Sequence, residues 1–353
     1  MRTIVYAGHL SRFGLAFIEY ILDSTFFNIE HIVLADAERW WQFKFKLSGG
    51  VDLEDKQNLY QDCRKISKQL FKRIKKKYPD IKLSFVNDAN SDTSVDLAKN
   101  FDILLSAAFP QIFSDSFIQT MKGKMVNFHP SYLPRCRGAH PIYWTIASGE
   151  EYGGVSSHFI TGQIDKGPII SRIKIPFDKS TITYDLLYSN AIDILRVNIL
   201  ETEDFFKKQK EPSNQNDADA SYFRNDRPIH HKIYWVTEFS EQIINKIKAG
   251  RAFCFRANGE TLLLSNPAVL VKKSDVITND FDQRIFCGTV LKADKSKIVV
   301  KATDGIIEAS FLRHKTFGLY IFYALKSVNN RISRLLINRF LNGYVIKSGE
   351  ILL

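Results

Sequence analysis

Asn127 and His129 stand two residues apart behind the apolar pair Met125-Val126, and Asp165 follows in the stretch Ile164-Asp165-Lys166-Gly167-Pro168. On a strand, a spacing of i and i+2 puts both side chains on one face. Pro130 and Pro134 then end the strand, because proline has no N–H to give the ladder. An amide, an imidazole and a carboxylate brought together suit attack by an amine on an acyl-type carbon. The amine must lose a proton, and the developing oxyanion must be held. An Asn amide N–H can hold the oxyanion. A His titrating near neutrality can move the proton. An Asp can orient that His and favour its protonated form. Taken alone, a strand histidine is more often a packed core residue, so the surroundings must carry the assignment.

The elements that would position these residues alternate. Residues 3–7 form a buried-strand pattern broken at Gly8, and Ser11 can cap an apolar-periodic helix over 13–22. Strands are predicted at 31–35, 81–86, 103–107 and 124–129, with helices over 54–77, 92–99 and 113–121 between them. Such alternation implies an α/β fold, a doubly wound parallel sheet with Rossmann-like topology. A short helix is expected at 141–148. Strands follow at 155–160, which contains His158, and at 168–175, and a long amphipathic helix at 181–208 closes a catalytic domain spanning 1–208.

Residues 209–230 have linker composition and lack apolar periodicity. Beyond them a second domain is expected over 231–353. A helix at 238–247 precedes short strands at 261–264, 268–272, 286–293, 297–302 and 305–310, with hairpin signals at Asn258-Gly259 and Asp304-Gly305. That pattern suggests a small, OB-like β-barrel. Residues 315–338 read as a basic, aromatic, helical insert packed on it, and an aromatic insert of this kind is also compatible with a homodimer.

The chain has 353 residues, 45% of them hydrophobic, enough for one large and one smaller domain. There is no apolar run of membrane-spanning length, and the first residues are too strand-like for a signal peptide. Its four cysteines are scattered without a CxxC pair, which fits the reduced thiols of a cytoplasmic protein. Its eight histidines show no HExxH spacing, so no metal is expected. Net charge is +11, with +4 in residues 1–210 and +7 in 211–353. A basic surface attracts anions such as nucleotides, nucleic acid or acidic membrane without choosing among them.

The motif Asn127-Phe-His129-Pro-Ser-Tyr-Leu-Pro134, then Arg137-Gly138, Gly154-Val155, His158 and Asp165-Lys-Gly167, resembles the folate-dependent formyltransferases over roughly residues 1–205. That family includes glycinamide ribonucleotide, methionyl-tRNA and sugar N-formyltransferases. The resemblance implies formyl transfer from N10-formyltetrahydrofolate, a co-substrate, to a primary amine, with Asn127, His129 and Asp165 as the catalytic triad. Tyr132 departs from the family's usual Leu but keeps its bulk. Ala108, Phe109, Pro110 and Ile112 match the apolar loop that frames the pterin in relatives, and Gly162 and Ile164 are expected on its other side.

For the acceptor, the resemblance favours the amine of a nucleotide-linked amino sugar, carried on dTDP or UDP, as used for lipopolysaccharide O-antigen precursors. His140-Pro141 followed by Trp144 matches the sugar enzymes. His9, Arg12, Tyr132, Arg137, His140 and Trp144 are the expected substrate contacts, with Arg12 placed to meet a diphosphate. Residues 36–50, including Trp40, Trp41, Phe43 and Phe45, are aromatic where the tRNA enzymes carry a Gly- and Arg-rich loop. Against this, Phe286–Leu291, Asp304-Gly305 and residues 339–343 resemble the small barrel of methionyl-tRNA formyltransferase. tRNA therefore stays as the alternative acceptor, as does another small-molecule amine.

Overall fold

In this computed structural model the described residues are 1–36, 65, 67–224, 228–250, 252–256, 261–271, 286–294, 296–314 and 352. The aromatic stretch 37–50, the turn Asn258-Gly259, the insert 315–338 and residues 339–343 lie outside them.

The buried run near the N-terminus is β1 (Arg2–Ala7), which pairs in parallel with β2 (Asn28–Ala35) on one side and β4 (Ile103–Ala107) on the other. β2 pairs with β3 (Lys82–Val86), and β4 with β5 (Met125–His129), again in parallel. Parallel neighbours need crossovers. Helices α1 (Arg12–Ile21), α2 (67–77), α3 (Asp92–Ala98) and α4 (Asp115–Thr120) lie in those crossovers.

The far side of the sheet is antiparallel. β7 (Tyr152–Phe159) runs antiparallel to β5, and β8 (Ile169–Pro176) antiparallel to β7, giving the order β3-β2-β1-β4-β5-β7-β8. Only residues 160–168 join β7 to β8, too few for a crossover helix, so the pair forms a hairpin. Between β5 and β7 lie β6 (Arg137–Gly138) and α5 (Pro141–Ala147). The long helix α6 (Tyr184–Lys207) follows β8, capped by the Thr183 hydroxyl, which accepts from Leu186 N–H.

Alternation along β5 decides what reaches the site. Val126 and Phe128 enter the core shared with α1, α5 and α6, while Met125 enters the opposite core with Phe117 of α4. Asn127 and His129 share Met125's face and emerge where that core ends, at the carboxyl end of the strand. The loops after β1 and β4 meet there. The Gly8 N–H donates to Ala107 O at 3.1 Å, and a Cβ on Gly8 would stand 1.9 Å from Ala108 O. Any side chain would force the two loops apart.

In the C-terminal part, β10 (Phe253–Phe255), β11 (Thr261–Leu270), β12 (Val290–Ala293), β13 (Lys297–Lys301) and β14 (Ile306–His314) form one antiparallel sheet in the order β10-β11-β14-β13-β12. The two strands read at 261–264 and 268–272 are a single strand. Its ladder is interrupted by a bulge between Ser265 and Ala268, where Pro267 has no N–H to donate. Helix α8 (Ser240–Lys248) buries Ile243, Ile244 and Ile247 against Leu262, Val300 and Ile307 of this sheet. α7 (Pro228–His231) is a single turn preceding it. No helix among the described residues is long and apolar enough to cross a membrane.

His9 is buried beside Gly8, with Nε2 2.5 Å from Ser67 Oγ, and burial lowers its pKa to about 3. The unfolded chain therefore binds a proton at His9 below its ordinary pKa when the folded chain does not, so stability falls as pH falls. Between pH 6.5 and 5 this amounts to about 2 kcal/mol. We expect the urea midpoint to drop over that window, and to drop less in His9→Gln, which does not titrate. Equal slopes in the two proteins would contradict the assignment.

Candidate active site

The register of β5 with β7 sets Asn127 opposite His158, and the loop after β7 brings Asp165 over both. Asp165 is in the left-handed region at φ 52°, and its carboxylate points back over the end of β5. Oδ2 accepts from the Gly138 N–H at 2.7 Å and lies 3.6 Å from His129 Nδ1. Oδ1 lies 3.4 Å from His158 Nε2 and accepts from Asn127 Nδ2 at 3.5 Å. Asn127 Nδ2 is also 3.3 Å from His158 Nε2. Gly138 is a second position where a side chain is excluded: φ is 95°, and a Cβ would meet Phe223 O at 2.0 Å.

The partners of each ring indicate its hydrogens. Carbonyl oxygens only accept, so His158 Nδ1 donates to Phe159 O at 2.9 Å, and His129 Nε2 donates to Cys136 O at 3.0 Å. His129 then has Nδ1 free to take a proton on the side that faces Asp165. Burial pushes the His129 imidazole below its ordinary range, while the Asp165 charge and the Cys136 carbonyl pull it back up. Burial pushes the Asp165 carboxyl up, but His129, His158 and the Gly138 N–H outweigh it and hold the group below the usual carboxylate range. The site thus presents a fixed anion, an amide donor and a proton-accepting ring within one hydrogen-bonded cluster.

These residues floor a cleft of about 1010 Å³. One wall is the loop after β4, with Ala108, Phe109, Pro110 and Ile112, and another is the turn with Gly162 and Ile164. Phe109 is packed on Tyr6 and Phe113. Gln111 pins the loop, accepting from Ala89 N–H and donating to Asn87 O. Ile112 and Ile164 are left exposed at the cleft, as a flat apolar ligand would require. At the other end stand His140, Trp144, Tyr222, Phe223, Arg224 and His230. Trp144 and Phe223 stack at 4.3 Å with planes 6° apart.

Four expected contacts sit elsewhere. His9 is buried against Ser67, away from the cleft lining. Arg12 lies over the Tyr188 ring at 4.9 Å and pairs with Asp185 at 3.5 Å, so α6 holds it. Tyr132 packs edge-on against Tyr152 beneath the Arg172 guanidinium. Arg137 is buried, and its guanidinium is engaged by Gln215 and Asp217. Conversely, His158 joins the site, Tyr222, Phe223 and Arg224 line the cleft, and Gln215 and Asp217 hold its loops, roles that sequence reasoning did not assign. His158 stands in the family motif, but its place opposite Asn127 follows only from strand order. The 215–224 stretch reads as linker, and no periodicity marks it.

Residues 57–193 match the family model described as formyl transferase. A methionyl-tRNA formyltransferase from Finegoldia magna is 27% identical over 213 residues, 59% of this chain and 65% of that relative, so the match spans less than two thirds of the relative's length. Among solved structures, a sugar 3N-formyltransferase named WlaRD, crystallised with dTDP and 5-N-formyl-THF, superposes with a TM-score of 0.54 at 18% identity, covering 88% of this chain and 98% of that one. An N-formyltransferase from Helicobacter canadensis, in complex with folinic acid and dTDP-3-aminofucose, gives 0.52 at 20% identity over 88% and 98%. The formyltransferase resemblance read from the motif across residues 127–167 therefore holds, and the fold is the one these enzymes share.

Arg137 ties this wall to the rest. Truncating a buried guanidinium leaves its acceptors unpaired. We expect Arg137→Ala to lower unfolding free energy by about 2 kcal/mol in urea. A loss below about 0.5 kcal/mol would mean that the guanidinium is a surface charge after all.

Proposed function

We propose that the protein is an N-formyltransferase that moves a formyl group from N10-formyltetrahydrofolate to the amine of a nucleotide-linked amino sugar. The observation that carries this is the ionised Asp165 carboxylate held among Asn127, His129 and His158 at the floor of a cleft whose two ends differ in chemistry. One end is apolar with exposed aliphatics, which suits a pterin ring. Ala108, Phe109, Pro110, Ile112, Gly162 and Ile164 would hold it, their backbone groups meeting its polar edge. The other end combines stacked aromatics with Arg224 and two histidines, which suits a sugar or base joined to phosphate.

In this reading Asn127 Nδ2 donates to the oxyanion that develops on the formyl carbon. The amine loses a proton as its bond to that carbon forms. His129 takes up the proton at Nδ1, and Asp165 stabilises the resulting charge. Burial disfavours the charged ring, so His129 gives the proton to N10 of the folate as the oxyanion collapses to the new amide and the formyl carbon–N10 bond breaks, releasing tetrahydrofolate. His158 braces both Asn127 and Asp165.

A methionyl-tRNA acceptor is the second reading. It is favoured by the Finegoldia match and by the +7 excess in residues 211–353. It requires strong salt dependence of binding.

Mass spectrometry of reactions with N10-formyltetrahydrofolate, a panel of dTDP- and UDP-linked amino sugars, and methionyl-tRNA separates the two. One formyl group gained by a nucleotide sugar is the expected result. Formylation of methionyl-tRNA alone would replace the acceptor assignment. In the same assay, Asn127→Ala is expected to lose about 100- to 1000-fold in kcat and His129→Ala about 100- to 10,000-fold, both staying folded. Near-normal turnover in either variant would contradict the role of the residue it replaces.

A further inference from the structure

Residues 213–223 are laid along the site like a strap. Ser213 exchanges backbone hydrogen bonds with Ile169 at 2.8 and 2.9 Å. Further on, Ser221 Oγ accepts from Cys136 N–H at 2.8 Å, and Ser221 O accepts from Arg137 N–H at 2.9 Å. β9 (Tyr222–Phe223) then pairs in parallel with β6. Between these anchors, one side chain touches both loops that build the carboxylate's surroundings. Gln215 Nε2 donates to Asp165 O and to Gly167 O, each at 2.8 Å. Its Oε1 accepts from Arg137 Nε at 3.0 Å and Nη2 at 2.8 Å. Asp217 closes the frame, pairing with Arg137 at 3.0 Å and with Lys166 at 2.8 Å.

The geometry explains why such a frame is needed. Asp165 adopts φ 52°, which a residue bearing a Cβ leaves readily unless its neighbours hold it. Its carboxylate must also meet four groups from three other segments: Gly138 after the proline loop, Asn127 and His129 on β5, and His158 on β7. The Gln215 amide fixes the carbonyls on both sides of Lys166. Through Arg137 it fixes the peptide that carries the Gly138 N–H as well. All four polar valences of the amide are used, two as donor and two as acceptor, and no other residue type fills this set at this length.

We propose that Gln215 is a positioning residue for Asp165: its amide, buttressed by Arg137, holds the 165–167 backbone so that the carboxylate reaches His129, His158, Asn127 and the Gly138 N–H together. The effect on turnover rests on the proposed formyl-transfer function, but the placement of Asp165 does not. Gln215→Met keeps the side chain's length and loses the amide's hydrogen bonds. Gln215→Glu keeps the acceptor for Arg137 and loses the donor to the two carbonyls.

The experiment measures steady-state kinetics, thermal unfolding and the NMR titration of the His129 ring in the full chain and both variants. The expected result is a fall in kcat of about 30- to 100-fold in both, with KM for the formyl donor within about threefold. With Asp165 displaced, the His129 titration moves to lower pH by about half a unit, because the opposite charge that favoured its protonated form has receded. A kcat within about threefold of wild type together with an unshifted His129 titration would overturn the proposal. So would a loss of turnover matched throughout by a loss of folded protein. If the wild-type enzyme transfers a formyl group to none of the acceptors, the function assignment fails on its own. The His129 titration then still decides the positioning role.

Discussion

A carboxylate with 11% of its side-chain surface exposed cannot remain ionised unless its surroundings replace the water it has lost. The cost of an uncompensated buried charge is several kcal/mol, comparable to a domain's whole stability. Asp165 is compensated by a backbone N–H from Gly138 and an amide from Asn127, and by each imidazole when the nitrogen facing it carries a proton. These groups come from β5, β6 and β7. The constraint therefore fixes how those elements meet, and the site's chemistry is a by-product of solving it.

The fold supplies the meeting point in two steps. Parallel strands β1, β4 and β5 deliver their carboxyl ends to one edge of the sheet, where Gly8 lets the first two loops touch. The antiparallel strand β7 then reverses direction beside β5, so that His158 lies across from Asn127 and the turn after it overhangs the end of β5. A parallel strand in that place would carry its following turn along with the other loops, and an antiparallel one folds it back onto them. The strap of residues 213–223 completes the enclosure, joining the loop of Asp165 to that of Arg137 and supplying Phe223 as the stacking partner of Trp144.

Much of this could be read from the chain, for identifiable reasons. Period-two alternation suffices to put Asn127 and His129 on one face, and the helix–strand alternation suffices for a parallel core. The place of Asp165 came from the motif rather than from periodicity, since nothing local says which way a turn residue points. His158 stands in the motif and on an expected strand, but its role beside Asn127 and Asp165 is set by sheet order, which no local pattern gives. Tyr132 and Arg137 look like ligand contacts in sequence because they are aromatic or cationic within the motif, and Arg12 because it opens the first helix. In the structure those same properties are spent on Tyr188 and Asp185, on Arg172, and on Gln215 and Asp217. The strap was invisible because it is held by backbone and polar contacts, which leave no hydrophobic pattern.

The central claim is that catalysis depends on the Asp165 charge rather than on its shape. Single-turnover formyl transfer by Asp165→Asn tests it most directly, since the substitution keeps the volume and removes the anion. The account predicts a rate lower by about 1000-fold with formyl-donor binding retained. A rate within about tenfold of wild type would contradict it, and would leave the buried carboxylate as a structural support only.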